Sequence, residues 1–237
     1  MAFSLTGAVY LFGFFALALL SFRLFQYRKR EETTVSRLLF YFAGLLDLFF
    51  FVTALGSLFF AQNQEVLKGV VIIAAFLQGL AAAILGYLIV YLKIPRISPW
   101  FGFSAISVLA LAAIAFTVVT PFFPRLEENY VINWGIQPFA KTLRFFVLSL
   151  VLFPMMLIFF KWGAAFQAPE TRKKAMGLGF IFLMGLASGV SDFILAGVFN
   201  LGAFGADLSI FFLSVSILAL TIFTQKLPSS PYVKKIV

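Results

Sequence analysis

The chain has 237 residues, 62% of them hydrophobic and 11% charged, with a mean hydropathy of +1.05 and a net charge of +9. A soluble domain carries roughly 25% charged residues to cover its surface, so this composition excludes one and implies a chain that faces lipid. The absence of cysteine and histidine excludes disulfides, thiolate nucleophiles, zinc sites built on Cys or His, and His-ligated haem.

A helix crossing a hydrocarbon core about 30 Å thick needs roughly 20 apolar residues, and seven stretches meet that length. Leu5–Phe22 is the first; it lacks a preceding basic segment and arginines follow it, so it reads as a retained helix and not a cleaved signal. Leu38–Ala61 is the second and carries Asp47. Val70–Leu92 is the third, with Gln78 and a face of small residues at Gly79, Ala82, Ala83 and Gly86. Phe101–Phe123 is the fourth. The outer stretch Pro124–Lys141 then mixes acids with Asn129, Tyr130, Asn133 and Trp134. It reads as an interfacial loop on the headgroups, with a lid over an outward-facing cavity as the functional alternative. The fifth span, residues 143–160, opens on Arg144 and contains Pro154, which predicts a kink. Met176–Phe199 is the sixth, with a Gly185/Gly189 packing seam and Asp192 in its outer half. Ala206–Phe223 is the last. The expected fold is therefore an all-α integral membrane protein: a seven-helix bundle over residues 1–226 with a short cytoplasmic tail at 227–237.

Basic residues orient the bundle, because cytoplasmic loops carry the Lys/Arg excess. Fourteen of the 18 fall in the first, third and fifth loops and the tail, against four (Lys68, Arg125, Lys141 and Arg144) on the other side. The N-terminus is thus expected outside and the C-terminus in the cytoplasm. The absence of any Asn-X-Ser/Thr acceptor fits a prokaryotic plasma membrane. The same distribution accounts for the net charge without nucleic acid. Arg28, Lys29, Arg30, Arg172, Lys173 and Lys174 are candidates to hold anionic headgroups, at about 1 kcal/mol per basic residue near the surface.

Buried charge is the informative signal within a bilayer, where an ionisable group costs about 2.5–3.5 kcal/mol on insertion scales and faces the bundle interior. Asp47 and Gln78 enter from opposite sides to similar depth, so a hydrogen bond at the midplane is expected. Desolvation disfavours an ionised carboxylate, which suits proton or cation handling; interhelical glue is the structural alternative. Asp192 and Arg144 are expected to form a structural salt bridge if their helices adjoin. Gly44 and Asp47 share their spacing with Gly189 and Asp192, as corresponding helices of two parallel three-helix repeats would; SWEET-like transporters use such repeats. No catalytic set, metal site or cofactor site is evident. The last span has no central lysine for retinal, and no glycine-rich phosphate loop precedes a soluble helix. Enzyme activity is not expected.

The first span ends in a basic stretch, FRLFQYRKREETTVSRLLF, and a second basic segment, PETRKKAMGLGF, precedes the sixth. With an outside N-terminus, this layout resembles, as a pattern over all seven spans, the N-terminal membrane region of many prokaryotic sensor histidine kinases. That resemblance implies sensing of a small or lipophilic ligand within the bundle. This chain departs from the family in carrying no output domain, so a cytoplasmic output protein or another membrane protein becomes the expected partner. Three readings follow: a stand-alone sensor or accessory subunit with a closed, dry inner half; a small secondary transporter with Asp47 and Gln78 on its pathway; and a structural or assembly subunit of a membrane complex. The first ranks highest.

Overall fold

The computed structural model describes residues 4–30, 32–197, 199 and 201–225. Glu31, Lys226, the tail at 227–237 and the side chain of Arg30 lie outside the described residues. Seven helices form: α1 (Leu5–Arg30), α2 (Thr34–Phe59), α3 (Gln64–Lys93), α4 (Pro99–Val119), α5 (Pro138–Ala165), α6 (Pro169–Gly197) and α7 (Gly202–Gln225). All seven are long and apolar enough to cross a membrane, which makes this a multi-pass membrane protein. Most run past the apolar stretches because the flanking lysines, arginines and glutamines are good helix formers whose long stems reach back towards water.

The helix ends follow from local chemistry. A capping box opens α2, with Thr33 and Ser36 exchanging side-chain and backbone hydrogen bonds. Asn63 caps α3 by accepting from the Val66 N–H. Prolines open α4 and α5, where a missing N–H costs nothing. α4 stops at Val119, four residues short of the expected Phe123. Thr120 precedes Pro121, and the proline ring drives it out of the helical region to ψ 131°. Pro154 stands inside α5, which runs through it.

The connection from α4 to α5 departs from the expected headgroup loop. It folds into an antiparallel hairpin of β1 (Arg125–Leu126) and β2 (Ile132–Asn133). Val131 and Ile132 are fully buried.

Neighbouring helices pack in the ring α1–α2–α3–α5–α6–α7, closed by α7 against α1, with α4 outside against α3 and α5. The bundle therefore has two ends: a basic end, with Arg28, Lys93, Lys161 and Arg172, and a hairpin end, where α1, α3, α5 and α7 begin. The basic half is packed with side chains of α2, α3, α5 and α6, including Phe42, Leu85, Leu88, Met155, Phe159 and Phe182. Phe182 stacks on Phe159 and meets Phe42.

Several of the small residues sit where helices of the chain cross closely. A Cβ on Gly86 would stand 2.7 Å from the Gly102 carbonyl oxygen of α4, and one on Gly79 would stand 2.9 Å from Ala110 Cβ. Gly189 accommodates the Phe145 ring of α5, whereas a Cβ on Gly44 of α2 would meet no side chain or other helix within 4 Å. The two Gly-x-x-Asp segments thus sit in different surroundings.

Candidate functional site

The expected Asp47–Gln78 pair does not form. Antiparallel packing sets Gly56 against Val70, which carries Asp47 to the level of Gln78, so their depths agree. Their directions do not. Phe40 and Phe51 lie on the same face of α2 as Asp47, and they pack against Phe25 and Phe14 of α1. Asp47 therefore sits at the α1–α2 seam, half-buried, with Oδ1 lacking a hydrogen-bond partner. Gln78 instead faces α4 and α5.

The Asp192–Arg144 pair is also replaced. Asp192 of α6 pairs with Lys141, one turn earlier on α5. Lys141 and Arg144 are three residues apart, so they project from α5 about 60° from each other, and only Lys141 meets α6. Arg144 turns the other way and joins Gln78 in lining a cavity between α3, α4 and α5. Gly79 and Ala82 of α3, Ala110 and Ala113 of α4 and Val147 of α5 supply its walls. The cavity offers about 20 Å³ to the centre of a water molecule, room for roughly one water. Arg144 Nε and Nη2 are buried with no hydrogen-bond partner. Among the described residues no carboxylate lies within ion-pair distance of them.

A second polar centre lies between α1, α7 and the hairpin. Thr6 of α1 and Asp207 of α7 are both buried, and the Thr6 hydroxyl donates to Asp207 Oδ2 at 2.6 Å. The same Thr6 oxygen accepts the Ile132 N–H of the hairpin at 2.8 Å. The Leu5 N–H donates to the Tyr130 carbonyl at 2.8 Å. These bonds tie the hairpin to the first turn of α1 and, through Thr6, to α7. In the sequence Asp207 looks terminal, because the apolar run starts at Ala206. With α7 beginning at Gly202, Asp207 lies more than a turn inside. Its being the one charged residue of 206–223 was the available signal.

All four expected loop residues take part in this cap. Asn129 Oδ1 accepts the Val131 N–H, and Asn133 Nδ2 donates to Glu127 Oε1. Tyr130 adopts a positive φ of 62° while its N–H closes a turn on the Glu127 carbonyl. Trp134 meets Tyr10 of α1 edge-on. Ile132 also packs on Ala61 and Leu67, so the hairpin covers the α2–α3 turn.

No family model, no curated protein and no solved structure matches the chain. The assignment of function therefore rests on the site itself.

At the basic end, Arg28 stands over the Phe40 and Tyr41 rings, Lys29 over Phe25 and Lys174 over Tyr27. Arg172 and Lys173 are exposed. Cations backed by aromatic faces form a surface suited to anionic headgroups.

Proposed function

We propose that this seven-helix chain is a membrane sensor or accessory subunit that takes a small or lipophilic ligand, or a membrane partner, in the half nearer the hairpin. The observation that carries this reading is the segregation of polarity. Thr6, Asp207, Lys141, Asp192 and Arg144 lie in the half of the bundle nearer the hairpin, among apolar side chains such as Tyr10, Phe50 and Leu77, while the core of the basic half is built of aliphatic and aromatic side chains. A packed half can transmit a shift between helices but offers water no path. The reading is non-enzymatic. It places the N-terminus outside a prokaryotic plasma membrane and the basic end in the cytoplasm, where a separate output protein would dock.

The chain's lack of cysteine permits a clean test. Single cysteines at Ala43 and Gln78 are challenged with membrane-impermeant maleimide from each side in turn. Protection from both sides is the expected result. Labelling from both sides, or a change of side with pH, would replace this reading with the transporter one.

The basic end is proposed to bind anionic lipid. Substituting glutamate for Arg172, Lys173 and Lys174 together is expected to strip most co-purifying phosphatidylglycerol, counted by native mass spectrometry. Retention at the unsubstituted level would remove this surface as the lipid site.

A further inference from the structure

Arg144 is charged at any pH a cell reaches, and it lies within a span. Two of its nitrogens are buried without a hydrogen-bond partner. The neighbouring cation, Lys141, has Asp192; Arg144 has no protein counter-ion among the described residues. Such a group within a span normally finds a partner, and none is supplied by the described residues. The cavity it lines contains one further polar side chain, Gln78, whose amide can donate a hydrogen bond. The remaining walls are apolar and mostly small. With room for about one water, the space takes a single head-group oxygen, and the rest of a compact head stands at its mouth beside half-exposed Ile114 and Leu148.

The tail of such a ligand also has a place. α4 fully buries only Gly102, Ala110, Ala113 and Thr117 against the bundle and is otherwise largely exposed. Ile114 and Leu148, which line the cavity, are themselves half-exposed. The cavity therefore reaches the lipid-facing surface of the bundle beside a peripheral helix.

Resting on the ligand-binding reading above, we infer that the α3–α4–α5 cavity binds the oxyanion head of an amphiphile, with the Arg144 guanidinium as its counter-ion, Gln78 as a second donor and the apolar tail lying along α4. The planar fork of arginine matches a carboxylate or phosphate by paired N–H···O bonds, which an alcohol head cannot exploit.

The test uses the full chain in phosphatidylcholine nanodiscs and a diazirine-bearing dodecanoate as photoprobe, with crosslinks mapped by mass spectrometry. Crosslinks are expected on α4 and α5 near Ala113 and Leu148. Unlabelled dodecanoate or dodecyl phosphate should displace the probe, whereas dodecanol should not. If dodecanoate is the stronger competitor, the natural ligand is a free fatty carboxylate; if dodecyl phosphate is, it is a phospholipid-type head. Arg144→Gln should weaken crosslinking at least tenfold, Arg144→Lys should restore part of it, and Lys68→Gln should leave it unchanged. Ala113→Val fills the cavity while keeping Arg144 and should also weaken crosslinking, which covers an Arg144→Gln protein that fails to fold. Equal displacement by dodecanol, or undiminished crosslinking in Arg144→Gln or Ala113→Val, overturns the site. Midplane cysteines labelled from both sides alongside Arg144-dependent crosslinking would sink the sensor reading and leave this site standing.

Discussion

Thr6→Val is expected to destabilise the hairpin end by about 3 kcal/mol. Valine keeps the shape of threonine but removes the oxygen that both donates to Asp207 and accepts from Ile132. One change thus leaves a buried carboxylate oxygen and a buried backbone N–H unsatisfied, and each such loss costs about 1–3 kcal/mol. Asp207→Asn should cost less, about 1 kcal/mol, because an amide oxygen still accepts from Thr6. Unfolding in mixed micelles titrated with dodecyl sulfate measures both. A cysteine at Val131, fully buried in the native hairpin, provides a local readout. It should be protected from maleimide in the parent chain and labelled in the Thr6→Val background. An unchanged unfolding midpoint together with continued protection would show that the hairpin is held by packing on Ala61 and Leu67 alone.

The larger expected effect lies at the α3–α4 crossing. Gly86→Val should cost at least about 3 kcal/mol. The first added carbon meets the Gly102 carbonyl oxygen and Ile106 Cγ1, both at 2.7 Å. A backbone atom cannot turn aside as a side chain can, so the two helices must separate along their whole contact. Gly44→Ala is the matched control: no side chain or other helix lies within 4 Å of its Cβ position. There alanine should stabilise by about 0.5–1 kcal/mol through helix propensity alone. The same micelle titration compares the two. Equal behaviour would mean that the α3–α4 seam contributes nothing to stability.

These outcomes separate what each level of organisation decides. Seven helices near the expected positions, their alternating direction and the presence of small-residue packing faces all follow from the order of residues. Apolar length and helix termini are one-dimensional quantities. Depth along the bundle axis is also one-dimensional, since each residue advances a helix by about 1.5 Å; accordingly Asp47 and Gln78 do lie at one level. Azimuth is different. Whether a side chain faces one neighbour or the next depends on which helices adjoin and how each is rotated, and those are properties of the packed ring. Asp47 thus turned to α1, Gln78 to α4 and α5, and Arg144 away from Asp192, which Lys141 took instead. The hairpin belongs to the same class. Its strands are two residues each, too short for a periodic pattern. They exist because Thr6, Leu5, Ala61 and Leu67, distant in sequence, together supply the hydrogen bonds and apolar surface that bury Val131 and Ile132. Composition and span order alone determined that this chain inhabits a membrane as a seven-helix bundle. Which polar groups meet inside it was decided only by the tertiary structure, because rotation about a helix axis is settled by contact with its neighbours.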